Sequence, residues 1–372
     1  MHFETIAIHA GLETDPETGA LAPPIHLSTT YERTEEGEES RGFGYIREAN
    51  PTQVRLEQAL AAIDSAKAAL AFASGMAAGT AVLQSLPPAS HVLLPDDSYY
   101  AYRALAAGIG AQWNLSFTVV PMEEEAAVRA AIRENTRLVW IETPSNPLLK
   151  IVDVAALARL AHEGGAIALV DGTFATPALQ RPIELGADLV LHSTTKYLGG
   201  HSDVQGGSLA FAERGALFEK VEHVRTLTGG VASPFNSWLV MRGIRSLAAR
   251  MRVHCANAGA VAQFLSGHPR VESVFYPGLP EHPRHDVARR QMSDFGGMLS
   301  FLVRGGRADA LRVAARTKLF TRATSLGGVE SLIEHRASSE GPDSATPQTL
   351  LRLSVGLEHP DDLVADLQQA LG

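Results

Sequence analysis

The chain has 372 residues, 45% hydrophobic and 20% charged, with a formal net charge of −9 at pH 7; this length predicts two domains, and this composition a globular protein. No stretch concentrates Lys and Arg and no apolar run reaches the thickness of a bilayer, so neither nucleic acid nor a membrane is an expected partner. The single cysteine, Cys255, excludes an internal disulfide, the N-terminus lacks the basic and apolar regions of a signal peptide, and a reducing cytoplasm is the expected location.

Residues 1–50 are rich in Gly, Pro, Thr and Glu and show no period. They read as an extended arm with turns, whose "PPIHLSTTY" and "FGYIR" need a surface to pack on. From about residue 54 helix and strand alternate. "VRLEQALAAIDSAKAAL" has apolar residues at helical spacing, and "SGMAAGTAVLQSL" opens a second helix. "HVLLP", "LSFTVVP", "RLVWIETP", "AIALVDGT" and "DLVLHS" are short apolar runs with helical segments such as "VAALARLAHEGG" between them. That alternation predicts a parallel sheet covered on both faces, with ligands beyond the carboxyl ends of its strands. It fills a large domain over 51–240. One long helix is predicted from about 236 to 266, with Ile244, Leu247, Met251, Cys255, Ala258, Val261 and Leu265 in its apolar stripe. Cys255 is therefore a packing residue. "GGMLSFLV", "ADALRVAART", "LLRLSVGLE" and "DDLVADLQQAL" complete a smaller α/β domain over 241–372.

The chemistry gathers after the strands. "DLVLHS" runs into "HSTTKYLGGHSD", where Lys196 stands between the hydroxyls of Ser193 and Thr195 and two glycines. A lysine amine held near apolar surface has a depressed pKa and attacks carbonyls. A carbonyl cofactor with a phosphate, pyridoxal 5′-phosphate, needs three further features. "FASGMAAG" supplies a helix start at Gly75 and Met76 for the phosphate. Asp171, at the end of "AIALVD", supplies a carboxylate for a ring nitrogen, which keeps the ring an electron sink. Tyr99 and Tyr100 of "DDSYYAYR" supply an aromatic face. No metal ligand set is expected.

In order along the chain, "TGALAPPIHLSTTY", "YIREANPT", "SGMAA", "ETPSNP", "VDGTFATP", "HSTTKYLGGHSDV", "SLGGVESLIEHRA" and "LLRLSVGLE" resemble the Cys/Met-metabolism family of pyridoxal-phosphate enzymes from about residue 5 to the C-terminus. That family includes cystathionine γ-synthase, the cystathionine lyases, methionine γ-lyase and O-acylhomoserine sulfhydrylase. The resemblance implies a three-layer α/β fold, the aspartate aminotransferase-like fold type I of PLP-dependent transferases, with a smaller C-terminal α/β domain. It implies that Lys196 holds the cofactor covalently and, with Tyr99 stacked on the ring, forms the catalytic pair. Asp171 would meet the ring nitrogen with Thr173 near it, and Gly75, Met76, Ser193 and Thr195 would hold the phosphate. Asn146 would lie near the ring hydroxyl and the substrate, Ser325 would position lysine and substrate, and Arg352 would clamp the α-carboxylate, for which a planar fork suits best. Tyr45 and Arg47 would reach the phosphate of a neighbouring subunit, so a homotetramer built as a dimer of dimers is implied.

The function implied is a lyase or transferase of sulfur amino-acid metabolism, with cystathionine γ-lyase or γ-synthase chemistry foremost. Methionine γ-lyase, O-acylhomoserine sulfhydrylase and cystathionine β-lyase are alternatives. Outside the class stand an aminotransferase and a non-catalytic cofactor-binding protein. Three positions depart from the family pattern. Gly172 replaces an asparagine, "YYAYR" is bulkier than the usual "YGGT" region, and Thr324 stands where several γ-specific relatives carry a glutamate.

Overall fold

The computed structural model describes residues 1–108, 110–340 and 345–372. Its first half runs α1 (Phe3–His9), α2 (Pro51–Ile63), β1 (Ala68–Phe72), α3 (Gly75–Ser85), β2 (His91–Pro95), α4 (Tyr100–Gly108), β3 (Ser116–Val120), α5 (Glu125–Ala131), β4 (Thr136–Glu142), α6 (Val154–Glu163), β5 (Ile167–Asp171), α7 (Thr176–Leu179), β6 (Leu189–His192) and β7 (Gly207–Phe211). There follow α8 (Ala216–Thr228), α9 (Pro234–Ile244), α10 (Leu247–Ser266), β8 (Val271–Phe275), α11 (His285–Gln291), β9 (Met298–Val303), α12 (Arg307–Arg316), β10 (Thr321–Arg322), β11 (Leu332–Glu334), α13 (Arg336–Glu340), β12 (Leu350–Ser354) and α14 (Pro360–Leu371).

Seven strands form one sheet in the order β1-β7-β6-β5-β4-β2-β3. Alternation along each strand divides its side chains between two helical layers. Leu169, Leu189, Leu191 and Leu209 pack with residues of α3 and α8. Val170 packs with α6, and Val190 and Ala210 with α2. A second sheet, β10-β11-β12-β9-β8, has its own core with α10, α12 and α14.

Four expectations are corrected. The large sheet is mixed rather than parallel, because β7 runs antiparallel to both β1 and β6. The loop 193–206 returns directly from β6 without a crossover helix, and such a return can only pair antiparallel. The first long helical pattern stops at Ile63, and "AALAF" is β1; alanine-rich residues kept the helical spacing although the segment is a buried strand. The helix expected over 236–266 is two helices, broken at Arg245–Ser246, although its predicted apolar stripe is buried throughout. The arm contains the short helix α1, whose Ala7 is buried; two turns are too few to show a period. Cys255 is 3% exposed, and burial pushes its thiol up to about 12.

Candidate active site

Strands β4, β5 and β6 run parallel, with Glu142 beside Asp171 and Asp171 beside Leu191. Their carboxyl ends therefore open at one edge of the sheet, and a cavity lies there. Asp171 is 6% exposed, and its Oδ1 accepts the Thr173 amide at 3.0 Å. The Thr173 hydroxyl oxygen in turn accepts the Ser193 amide at 3.0 Å, which ties the end of β5 to the loop after β6. Burial raises the Asp171 carboxyl above its ordinary value. Buried and part-buried ion pairs among the described residues use Asp64, Glu57, Glu334 and Glu340 and do not include Asp171, whose charged neighbour His192 is paired with Asp64.

Lys196 stands in the loop 193–206, closed below it by the Thr195 hydroxyl, which donates to the Gly206 carbonyl at 3.1 Å. Its Nζ donates to Ser325 Oγ at 2.7 Å. Burial first, and the Arg352 charge second, bring the amine down to about 8 from 10.5. Ser325 belongs to the segment between β10 and β11 and has φ 92°, a left-handed geometry that costs about 1–3 kcal/mol in a non-glycine residue. The same segment presses on the lysine loop at Gly327, φ 79°, where a Cβ would stand 2.6 Å from the Tyr197 nitrogen.

In the same cavity Arg352 is 3% exposed. Its Nη1 donates to Asn146 Oδ1 at 2.8 Å and its Nη2 to the Ser325 carbonyl at 3.0 Å. Glu334 pairs with both Arg352 and Arg336, and Arg336 also reaches Glu340. Burial opposes ionisation of Glu334, but the two guanidinium groups outweigh it and lower its pKa. The Thr324 side chain further favours the ionised form of this same carboxylate.

The cavity fits a phosphorylated pyridine aldehyde. Ser74 caps α3, its hydroxyl accepting the Ala77 amide at 3.1 Å, and the amides of Gly75 and Met76 remain at the open helix start. Gly207 lies against them: a Cβ there would be 2.3 Å from the Ser74 carbonyl oxygen and 2.6 Å from the Gly75 nitrogen. A buried carboxyl outside those ion pairs and a part-buried amine share the same space. Gly207→Ala should destabilise the protein by about 1–3 kcal/mol through this backbone clash. It should also weaken cofactor binding. Thermal unfolding and cofactor titration check both, and an unshifted melting temperature would show that the cradle is looser than its geometry.

Eleven residues predicted from the sequence line this one cavity, from Gly75 and Met76 at one end through Tyr99, Asn146, Asp171, Thr173, Ser193, Thr195 and Lys196 to Ser325 and Arg352. Tyr45 and Arg47 do not: Tyr45 is 44% exposed, and Arg47 Nη1 donates to the Thr226 carbonyl at 2.8 Å. Sequence reasoning missed Ser74, Glu142 and Arg336, which also line it. Glu142 ends an apolar strand just as Asp171 does, so the rule that found one finds the other.

A family model described as Cys/Met metabolism PLP-dependent enzyme matches residues 4–372. The cystathionine gamma-synthase of Mycobacterium leprae (strain TN) is 50% identical, over 99% of this chain and 96% of that protein. The cystathionine beta-lyase of Coxiella burnetii (strain RSA 493 / Nine Mile phase I) is 44% identical, over 100% of this chain and 98% of its own. The crystal structure of cystathionine gamma synthase from Xanthomonas oryzae pv. oryzae in complex with aminoacrylate and cysteine matches with a TM-score of 0.96 at 39% identity, covering 100% of this chain and 98% of that one.

Proposed function

Because the chain belongs to the Cys/Met metabolism family of PLP-dependent enzymes, we propose that it makes or breaks a bond at Cγ of a homoserine-derived or sulfur-containing amino acid, with γ-replacement to cystathionine foremost and γ-elimination beside it. The chain is an enzyme of the aspartate aminotransferase-like, three-layer fold, and its cofactor is pyridoxal 5′-phosphate. The observation that carries the reading is the part-buried Lys196 amine, held by Ser325 in the cavity that also contains Asp171 and Arg352. The choice of Cγ is supported by 50% identity to a γ-synthase along 99% of the chain.

When bound, the cofactor supplies an aldehyde for amines and a protonated ring that withdraws electrons from Cα. The residues would share the remaining work. The start of α3, with Ser193 and Thr195, holds the phosphate. Asp171, steadied by Thr173, keeps the ring nitrogen protonated, and Tyr99 covers one ring face. Arg352 orients the α-carboxylate, its fork steadied by Asn146. Lys196 moves protons between Cα and the neighbouring carbons; an amine near neutrality serves as both base and acid. Ser325 aims that amine. Residues 1–50 form an arm that carries Tyr45 and Arg47 to the phosphate of a neighbouring subunit, so the smallest active unit is a dimer, paired into a tetramer. The single buried cysteine accords with a cytoplasmic enzyme.

The test is product identification with purified enzyme given cystathionine, homocysteine, methionine, and an O-acylhomoserine with cysteine. Cystathionine formation or 2-oxobutyrate supports action at Cγ. Pyruvate and homocysteine from cystathionine would show β-cleavage and overturn the γ reading; stoichiometric ketoacid with the amine left on the cofactor would mark an aminotransferase.

Selectivity among γ-substrates gives a further prediction. Thr324 offers a neutral hydroxyl to the distal ammonium of cystathionine, so the wild type should turn over homocysteine as well as cystathionine, and possession of a small thiol substrate should not penalise it. A charge-assisted bond is worth roughly twice a neutral one, so Thr324→Glu should raise the cystathionine-to-homocysteine ratio of kcat/KM by about tenfold. Thr324→Gln, matched in size, should leave the ratio near that of the wild type. Equal ratios in the two variants would show that charge at this position does not set the choice.

A further inference from the structure

Glu142 is the carboxyl of this cavity that the reading above leaves without a task. It ends β4 in register with Asp171, is likewise 6% exposed, and lines the same space. Its Oε2 accepts the backbone amide of Tyr99 at 2.9 Å. It takes part in none of the buried ion pairs among the described residues. Two carboxyls on adjacent parallel strands, both withdrawn from water, do not both ionise. The proton goes to the one whose charge is less well supported. Asp171 receives the Thr173 amide and is favoured in its ionised form by the nearby His192, which is itself paired with Asp64. Glu142 receives the Tyr99 amide and the charge of Arg103, against the like charges of Asp171 and Asp97. Burial first, and Asp171 second, push the Glu142 carboxyl well upward.

We propose that Glu142 is a positioning residue: a neutral carboxylic acid that pins Tyr99 at the cavity through its backbone amide and leaves Asp171 as the one carboxylate of the cavity that would serve the cofactor's ring nitrogen. The inference rests on the cofactor-binding reading of the cavity. A bond from Glu142 to the main chain at the start of α4 fixes the direction of the Tyr99 ring, which is otherwise held by edge contacts with Tyr100 and Tyr102 at 5.3 and 6.0 Å. A carboxylate at 142 would instead compete with Asp171 for the ring's positive charge.

Infrared spectroscopy of the holoenzyme reads the protonation directly. Wild-type protein at neutral pH should show a protonated-carboxyl band that moves when glutamate side chains carry ¹³C and stays when aspartate side chains do. The band should vanish in Glu142→Gln. Its absence from the wild type, or its movement with the aspartate label, overturns the assignment without recourse to any variant. Positioning is read by Glu142→Ala, which removes the acceptor of the Tyr99 amide. The visible circular dichroism of the bound cofactor should fall, and its dissociation constant should rise about tenfold, the worth of one such hydrogen bond. Should that variant not fold, Glu142→Asp, with its shorter reach, gives the same readouts. Unchanged dichroism and affinity in a folded variant would refute the positioning role. A wild-type protein that takes up no pyridoxal phosphate would sink the proposed function itself, a separate outcome.

Discussion

Lys196→Ala should lower kcat by about 10³-fold or more, since on the proposed reading it removes both the covalent anchor of the cofactor and the group that moves protons at Cα. Pyridoxal phosphate should still bind, held by the start of α3 and by Asp171, but borohydride should no longer fix it to the chain. In the wild type, borohydride should place the label on the peptide that contains residue 196. The pH dependence follows from the amine. Only the neutral amine attacks an aldehyde, and burial, assisted by the Arg352 charge, favours that form and brings the amine to about 8. Covalent uptake of the cofactor by the apoenzyme should therefore rise with pH and level off above about 8, where a solvated lysine would still be almost wholly protonated. Label on another lysine, or an uptake curve still climbing at pH 10, would remove Lys196 from the centre of the site.

Much of this site was legible because its residues stand where strands end. A strand buried on both faces reads as an unbroken apolar run, so the polar residue that closes it is conspicuous. Asp171 and Lys196 are found in that way, and Gly75 by its place at a helix start. The residues of the Glu334–Arg336–Glu340 network were not legible. They lie on a three-residue strand and a five-residue helix, elements too short to show a period, and nothing in their spacing marks the burial of Arg336, which is 2% exposed. β7 escaped notice for a related reason. "GSLAF" is short and begins with glycine, and its direction is set by the loop that returns from β6 rather than by its own residues. Spacing along the chain also could not locate the break at Ser246, because the apolar stripe continues through it with every predicted member buried.

Coexpression of Lys196→Ala chains with Tyr45→Phe/Arg47→Ala chains should restore activity that neither chain has alone. The arm is anchored to its own subunit, with Trp238 Nε1 donating to the Pro23 carbonyl at 3.1 Å and Arg47 Nη1 to the Thr226 carbonyl at 2.8 Å. Yet Tyr45 and Arg47 point to no site there: the Arg47 guanidinium lies 5.5 Å from the Tyr45 ring centre, away from the cavity that holds Lys196. The arm also presents Leu21 and Leu27 at 77% and 68% exposure, and Phe235 of α9 is 53% exposed, apolar surface of the sort that a second copy covers. If each site joins the lysine of one chain to the arm of its neighbour, a mixed dimer has one intact site and one doubly defective site. Random pairing in equal amounts makes half of the dimers mixed, so recovered activity should approach about one quarter of that of the wild type, as twofold symmetry requires. The parents should differ in kind. Lys196→Ala should lose covalent capture, whereas Tyr45→Phe/Arg47→Ala should keep Lys196 reactive but bind the cofactor phosphate more weakly. Mixtures no more active than the sum of their parents, or full activity in a verified monomer, would confine the whole site to one chain.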